Sequence, residues 1–349
     1  MTLMRGLAQK LPLVWLHRGP LAWLLWPVSL LFAGLVRLRK ALFRVGLLQS
    51  HEVPVPVVVV GNVVAGGSGK TPVVIALVEQ LQTLGWRPGV ISRGYGRQSR
   101  DCREVHTDDR AIDTGDEPLL IKQKTRAAVF VASRRIEAAQ ALLRAHPQTD
   151  VIICDDGLQH LALKRDIDIC VFDERGTGNG FLLPAGSLRE PWPRKVDLVI
   201  HSTDRPAVEG GFTSTRQLGH LARRADGSTC DLADLGEARM RPLAAVAGIA
   251  KPEKFFAMLE QNGLKPDVTV PLPDHFDYAE PLEQTRGATT VVCTEKDAIK
   301  LWRHAPQAWA LALRFELEPD GLNAMLALLI AARDRKLAKL SSNHGSSTT

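Results

Sequence analysis

VPVVVVGNVVAGGSGKT, residues 55–71, decides the fold of this chain. The almost pure valine run Val55–Val60 predicts a strand that is covered on both faces of a parallel sheet. The pattern that follows Gly66–Gly69 predicts a helix over Thr71–Leu84. A glycine-rich loop between a buried strand and a helix turns backbone N–H groups and a helix N-terminus toward one point. This arrangement predicts a phosphate-binding loop.

The loop follows the G-x-x-x-x-G-K-[ST] pattern except at its first position, which is Val64 instead of glycine. In such loops the lysine, here Lys70, reaches the β- and γ-phosphates, and the hydroxyl of Thr71 is a ligand of Mg²⁺. We therefore predict ATP as the nucleotide and Mg²⁺ as its cofactor. The predicted nucleotide-binding residues are Val64, Ala65, Gly66, Gly67, Ser68, Gly69, Lys70 and Thr71.

Short apolar runs alternate with helical patterns on both sides of a polar stretch after His201, which predicts two α/β units. We predict a P-loop NTPase-like parallel sheet with a second, smaller α/β lobe and an N-terminal amphipathic, membrane-associated segment. The predicted boundaries are 1–50 for that segment, 51–205 for the kinase domain, 206–340 for the second lobe and 341–349 for a disordered tail.

The N-terminal segment contains the basicity of the chain. Seven Lys or Arg residues and no acidic residue lie in the first 50 positions, against a net charge of +6 for the whole protein. This distribution excludes a nucleic-acid-binding fold and favours an anionic membrane surface as a partner. The uncharged stretch Gly19–Val36 is at the lower length limit for spanning a bilayer, and we expect Pro20 and Pro27 to interrupt a helix. An interfacial anchor is favoured over a spanning helix, a buried hairpin or a cleaved signal peptide.

The five cysteines are scattered and form no C-x-x-C pattern, so neither a disulfide framework nor a zinc site is expected.

Acidic side chains are the main candidates for catalysis and metal binding. Asp155 and Asp156 directly follow the predicted strand Val151–Cys154, where a second ligand of Mg²⁺ is expected. Asp116 and Glu117 precede Pro118, which predicts an extended or turn conformation and not a helix. Taken alone, these two acidic residues, like Arg93, Tyr95, Gln159, His160 and His275, allow a structural role as well as a functional one.

Seven motifs occur in one order: VVGNVVAGGSGKTP, SRGYGR, TGDEP, DDGLQH, GNGFLLPAGSLREP, PDHFDY and VVCTEKDAIKL. Each is weak alone, but together the set closely resembles the lipid A 4′-kinase family, up to about Leu301. The resemblance implies transfer of the γ-phosphate of ATP to the 4′-hydroxyl of a tetraacylated glucosamine disaccharide 1-phosphate, giving lipid IVA. It also implies action at the cytoplasmic face of the inner membrane.

The same resemblance implies roles for single residues. Asp116 becomes the base for the sugar hydroxyl, with His275 as its partner from the second lobe and Glu117 beside it. Asp155 and Asp156 are placed at the metal, and Glu190 is a further candidate there. The family has an arginine after the strand that corresponds to Ala127–Val131. Arg135 matches this position, although the neighbouring Arg134 is also possible. Arg93, Tyr95, Gln159 and His160 are candidate contacts to substrate or phosphate.

Two other functions compete with a kinase. A switch or regulatory ATPase would share the phosphate loop, but Thr294–Asp297 fails the N-K-x-D pattern of its GTP-using members because its lysine is adjacent to the aspartate. A nucleotide-binding membrane scaffold would not need the several carboxylates expected around one loop. Turnover of ATP with and without an acylated disaccharide distinguishes the alternatives.

Overall fold

The computed structural model describes residues 14–345 except Ser68, Asp204, Arg205, Ala250 and His275. Its first sheet has seven strands in the order β3-β4-β2-β5-β1-β6-β7, which are parallel except for β3. The inner strand β1, between β5 and β6, is buried along its whole length, as its valines predict. The strands are β1 (Val57–Gly61), β2 (Pro88–Ser92), β3 (Arg103–Glu104), β4 (Ala128–Val131), β5 (Val151–Asp155), β6 (Ile167–Phe172) and β7 (Leu198–His201).

Helices cover this sheet on both faces. Apolar residues of α2 pack with one set of inward side chains of the sheet, and those of α5 pack with the other set. The helices of this part of the chain are α1 (Pro20–Arg44), α2 (Lys70–Thr83), α3 (Ala111–Thr114), α4 (Asp116–Thr125) and α5 (Arg135–Ala145). The predicted P-loop-type parallel sheet is confirmed.

A second sheet has the order β11-β10-β12-β13-β8-β9, with four parallel strands and an antiparallel pair at one edge. Three of these strands, β8, β9 and β11, were not predicted, because their sequences lack the apolar runs that mark buried strands. The strands are β8 (Ser214–Arg223), β9 (Thr229–Asp231), β10 (Leu243–Ala247), β11 (Val268–Pro271), β12 (Thr290–Thr294) and β13 (Trp309–Leu317), with helices α6 (Pro252–Gln261) and α7 (Glu295–Leu301).

The last helix, α8 (Pro319–Gly345), corrects two predictions. Met325 and Leu329 on this helix are buried in the core of the first sheet, so α8 does not belong to the second lobe. Lys336 anchors it there through Glu52 at 3.0 Å and Asp166 at 3.6 Å. The helix also continues through residues 341–345, where a disordered tail was predicted. The boundaries at residues 50 and 205 stay predictions.

Helix α1 is continuous over 25 residues, with Pro20 in its first turn and Pro27 inside it. The expectation that these prolines interrupt it is wrong: Pro20 needs no N–H donor there, and Pro27 removes only one of many backbone bonds. Within the part of the chain described here, α1 alone is long and apolar enough to cross a membrane, a criterion that some soluble core helices also meet. Its buried residues Ala22, Ser29 and Ala33 form one face, while Leu24 and Leu31 are more than 70% exposed.

Pro118 does not produce the predicted turn. It is the third residue of α4, where the missing N–H would have no intrahelical partner in any case. Asp116 and Glu117 therefore begin a helix, with Gly115 at a φ of 94° before them. The negative charges of both side chains are at the positive end of the helix dipole.

Candidate active site

One large cavity lies between the two lobes and extends to α1. Its volume is about 1750 Å³. The phosphate loop and the end of β5 line it from the first lobe, and Lys251, Lys254 and Lys296 line it from the second. Phe32 and Leu35 of α1 also line the cavity. The predicted site residues that line the cavity are Gly66, Gly67, Gly69, Lys70, Thr71, Arg93, Tyr95, Glu117, Arg135, Asp155, Asp156, Gln159, His160 and Glu190.

The phosphate loop begins later than predicted. Val64 is buried and forms a bridge with Leu188, and the N–H of Ala65 donates to the carbonyl of Ser187 at 2.7 Å. These two residues therefore fasten the loop to the first lobe and do not line the cavity, so their prediction as nucleotide contacts is not supported. Gly66 and Gly69 adopt φ angles of 95° and 76°, which only glycine accepts without strain. Ser68 lies outside the described residues.

Lys70 begins α2 and points toward the end of β5. Its Nζ lies 3.6 Å from Oδ1 of Asp156 and 3.5 Å from Oδ1 of Asn62. Asp156 has a φ of 49°, and its carboxylate also accepts from Nη1 of Arg189 at 3.2 Å. Burial alone would raise the pKa of Asp156, but the charges of Lys70 and Arg189 lower it below its ordinary value. Asp156 is therefore a carboxylate that holds Lys70 in place.

Asp155 differs from its neighbour. Its side chain is buried, and among the described residues neither carboxylate oxygen has a hydrogen-bond partner. Burial first, and then the negative charges of Glu117 and Asp156, raise its pKa to about 7. A buried, unsatisfied carboxylate is costly unless a cation binds it.

The donor set fits Mg²⁺. Mg²⁺ sites in kinases use one or two protein oxygen ligands together with nucleotide phosphates and water. Asp155 and the hydroxyl of Thr71 are the oxygen donors that the predicted metal site offers, because both residues line the cavity. No group of three or more His, Cys, Asp or Glu side chains suited to a metal occurs in the described ranges.

Arg135, and not Arg134, faces the site. Arg135 is buried, and its Nη2 donates to the carbonyl oxygens of Asp155 at 3.3 Å and Asp156 at 3.4 Å. Its Nε and Nη1 find no partner among the described residues. Arg134 is largely exposed and pairs with Glu137. The guanidinium of Arg135 thus has two nitrogens, Nε and Nη1, available as donors beside Asp155.

Glu190 has a different role from the predicted one. One carboxylate oxygen accepts from Lys40 of α1 at 2.6 Å, and the other from Arg194 at 2.8 Å and Gln159 at 3.0 Å. Both oxygens are therefore already paired with cations, so this arrangement does not support metal binding by Glu190. Together with Gln159 it attaches the C-terminal end of α1 to the site.

The segment Gly178–Gly186 attaches the rest of α1 to the first lobe. Ser29 of α1 donates to the carbonyl of Leu182 at 2.8 Å and accepts from the N–H of Ala185 at 3.0 Å. The ring of Phe181 packs against Trp23 with centroids 5.1 Å apart. The exposed apolar face of α1 is thereby fixed in direction relative to the phosphate loop.

Asp116 lies where the lobes meet. Its buried carboxylate forms an ion pair with Nζ of Lys300, on α7 of the second lobe, at 2.7 Å. Lys300 also donates to the carbonyl of Phe276 at 3.2 Å, and Lys296 binds Asp274 at 3.0 Å. His275 itself lies outside the described residues, but both its neighbours are tied to α7. The predicted pair of Asp116 with His275 stays a prediction.

A buried network fixes the start of α7. Asp297 accepts from Tyr278 at 2.8 Å, from the N–H of Gly248 at 3.0 Å and from Thr294 at 2.6 Å. Burial raises the pKa of Asp297 despite these bonds. The segment Thr294–Asp297 therefore has a structural role in the second lobe. Its buried hydrogen bonds set the positions of Lys296 and Lys300 on α7.

The remaining predicted contacts surround the mouth of the cavity. Arg93 and Tyr95 follow β2, and Glu117 lies one residue beyond Asp116 with its side chain on the cavity wall. Burial first, and then the charges of Arg135, Arg39 and Arg93, lower the pKa of His160 to about 4. His160 is therefore a neutral imidazole at physiological pH.

Several residues near the site were missed from the sequence. They are Asn62, Arg175, Arg189, Lys251, Lys254 and Lys300. Asn62, Arg189 and Lys300 lie inside motifs that the sequence offered, so attention to polar residues in those motifs would have found them. Lys251 and Lys254 belong to the other lobe, and nothing local in the sequence relates them to the phosphate loop.

A phosphate loop after an inner strand of a parallel sheet, with an acidic pair at the end of the neighbouring strand, defines a protein of the P-loop nucleotide-binding class. A family model described as tetraacyldisaccharide-1-P 4′-kinase (LpxK) matches residues 21–331. The chain belongs to this family.

Curated relatives and a solved structure agree. A tetraacyldisaccharide 4′-kinase of Acidovorax sp. (strain JS42) is 53% identical over 93% of this chain and 96% of its own length. One from Polaromonas naphthalenivorans (strain CJ2) is 51% identical over 98% and 99%. The crystal structure of the "apo" form of LpxK from Aquifex aeolicus in complex with ATP is 30% identical, with a TM-score of 0.74 over 88% of this chain and 99% of that one.

Proposed function

We propose that this protein transfers the γ-phosphoryl group of ATP to the 4′-hydroxyl of a tetraacyldisaccharide 1-phosphate, giving lipid IVA, with Mg²⁺ as cofactor. The acceptor would reach the site from the cytoplasmic face of the inner membrane. The observation that carries the proposal is the single cavity that joins the phosphate loop to the apolar helix α1. A soluble acceptor would need no such helix beside its phosphate donor.

In phosphoryl transfer the protein mainly positions its substrates and neutralises charge. Lys70 would leave Asp156 and Asn62 and bind the β- and γ-phosphates, since its present contacts of 3.6 and 3.5 Å are long. Asp155 and Thr71 would hold Mg²⁺, which supplies positive charge to the triphosphate. Arg135 would direct its two free donors toward the same region.

The proton of the acceptor hydroxyl needs a carboxylate within hydrogen-bond reach. We assign this role to Asp116, whose helix begins at the cavity wall. Its ion pair with Lys300 ties it to the second lobe. Glu117 is the competing candidate, because its side chain lines the cavity and that of Asp116 does not. Loss of turnover in Asp116→Ala with near-normal turnover in Glu117→Gln supports the first assignment, and the reverse supports the second.

Membrane attachment through α1 is the remaining part of the proposal. Leu24 and Leu31 are 73% and 72% exposed, and cations occur at both ends of the helix. Replacing both leucines by serine should reduce recovery with anionic vesicles and raise KM for the lipid acceptor, with KM for ATP unchanged. Full recovery of the double variant with vesicles would place the anchor elsewhere.

The experiment that tests the function is ATP turnover by the full chain, with and without the tetraacyldisaccharide 1-phosphate. A kinase requires the acceptor, whereas a switch ATPase releases phosphate at the same rate in its absence. Turnover of ATP at the same rate without the acceptor would therefore contradict the kinase function and favour a regulatory ATPase.

A further inference from the structure

Arg175 lies against the phosphate loop, although no predicted motif contains it. Its Nη2 donates to the carbonyl of Gly67 at 2.6 Å. A Cβ on Gly66 would lie 3.2 Å from its Nη1, so the guanidinium also covers the preceding loop residue. Asp173 holds the guanidinium in turn, because Nε of Arg175 lies 3.0 and 2.9 Å from its two carboxylate oxygens.

These contacts have a direct consequence for binding of an anion. A phosphate loop binds through N–H groups, and a carbonyl oxygen that points into the loop repels phosphate. The carbonyl of Gly67 instead accepts a hydrogen bond from the positively charged guanidinium of Arg175, so it is directed toward a cation. The loop needs such external support because Gly66, with no side chain and a φ of 95°, restricts its own backbone little.

The same acidic residues contact the second lobe. Nζ of Lys251 lies 3.6 Å from Oδ2 of Asp173 and also pairs with Glu174. Lys254, in the first turn of α6, binds Glu174 at 2.7 Å. Burial alone would raise the pKa of Glu174, but its bonds to these two lysines lower it to about 2, so it is ionised at physiological pH. Residues 173–175 thus lie between the loop and the other side of the cavity.

We propose that Arg175 is a positioning residue that keeps the phosphate loop in its ATP-binding conformation. We further propose that Asp173 couples the position of Arg175 to the second lobe through Lys251. The proposal rests on the proposed kinase function and deepens it. Movement of the second lobe alters how Asp173 shares its charge between Lys251 and Arg175. Affinity for ATP therefore depends on the position of that lobe.

The test is steady-state kinetics of Arg175→Ala in the full chain, with Mg-ATP and the tetraacyldisaccharide 1-phosphate varied separately. Loss of a charge-assisted hydrogen bond predicts that KM for ATP rises roughly tenfold or more. KM for the acceptor should stay within roughly twofold of the wild type, the scatter expected at a surface away from the loop. Arg175→Lys, which keeps the charge but not the fork, should restore part of the affinity.

Arg239→Ala is the matched control. Arg239 also pairs with a carboxylate two residues earlier, Glu237 at 2.6 Å, but its side chain is 73% exposed and does not line the cavity. Both KM values should equal those of the wild type. Thermal unfolding of each variant shows whether it is folded. If Arg175→Ala is not folded, the same comparison of the two KM values is made with Arg175→Lys and Asp173→Asn.

An unchanged KM for ATP in the folded variants, or an equal rise in both KM values, overturns the positioning role. The link to the second lobe is tested by combining Lys251→Ala with Arg175→Ala. A link through Asp173 predicts a non-additive loss, and simple additivity overturns it. The proposed function fails separately: wild-type protein that phosphorylates no acceptor contradicts the kinase, whatever Arg175 does.

Discussion

Two lysine–carboxylate pairs in and beside the site differ in how they are held. Lys70 and Asp156 both belong to the first lobe, and their charged atoms are 3.6 Å apart. Lys300 and Asp116 come from different lobes and meet at 2.7 Å, with side chains only 13% and 9% exposed. The looser pair is fixed by one sheet, whereas the tighter pair exists only while the lobes are together.

The difference bears on function. Lys70 can exchange Asp156 for phosphate without any change in the fold, because the loop and the strand that hold the pair do not need to move. Asp116 is already neutralised by a cation from the other lobe, so its availability depends on lobe position. The nucleotide contacts should therefore come from the first lobe, with the second lobe acting on them only through Asp173 and Arg175, whereas proton acceptance should depend directly on both lobes.

The largest effect is expected from Lys70→Ala. The variant loses a cation directed at the transferred phosphate, so kcat/KM should fall by at least on the order of a thousandfold. Its thermal stability should remain near that of the wild type, because Lys70 faces the cavity. Lys164→Ala, an exposed lysine that pairs with Glu52 at 3.6 Å, is the control. Near-normal turnover of Lys70→Ala would refute the phosphate-loop assignment.

Asp155→Asn should separate stability from activity. Burial of a carboxylate with no hydrogen-bond partner among the described residues is unfavourable, so the metal-free variant should unfold at a higher temperature, by roughly 2–4 °C. Its activity should fall roughly a hundredfold and require more Mg²⁺, because asparagine is a weaker ligand. Calorimetry without Mg²⁺ and a Mg²⁺ titration of activity measure the two effects. A less stable but fully active variant would contradict the assigned role.

Asp116→Ala and His275→Ala probe the pair that spans the lobes. If the two act as one unit, each variant should lower kcat by roughly a hundredfold with little change in KM for ATP. The double variant should then lose hardly more than either single variant. A double variant whose barrier increase equals the sum of the two singles would show that His275 acts independently of Asp116.

Lys300→Met should have the smallest effect. It removes the cation from Asp116 and keeps the apolar part of the side chain, so kcat should fall roughly threefold to tenfold, the range for loss of one positioning contact. ATP affinity should not change, because Lys300 contacts neither the phosphate loop nor the residues Lys251, Asp173 and Arg175 that link it to the second lobe. The matched variant is Lys339→Met, an exposed lysine that pairs with Glu52 at 2.7 Å. A larger effect on ATP affinity than on kcat would remove the distinction between the two pairs.

The sequence predicted the first of these regions far better than the second. Strand β1, Lys70, Thr71 and Asp155 follow from local patterns, because a phosphate loop and the strand ends around it lie close together in any parallel sheet. The ion pair of Lys300 with Asp116 joins residues far apart in the chain, and no periodicity relates them. The turn predicted at Pro118 failed for another reason: proline is tolerated in the first turn of a helix.

The second lobe shows the same limit. Strand β8 is ten residues long but carries Arg, Gln and His in place of an apolar run, so its pattern does not predict a strand. Helix α8 has an apolar face, but the sequence does not state which lobe this face covers. Packing against a distant element decided both cases, and local propensity cannot report it.

The most direct test of the central claim is mass spectrometry of tetraacyldisaccharide 1-phosphate after incubation with Mg-ATP and the full chain, beside Lys70→Ala. The account predicts that the acceptor gains one phosphoryl group at its 4′-hydroxyl with the wild type and none with the variant. An unmodified acceptor, with ATP hydrolysed at the same rate whether or not the lipid is present, would contradict it.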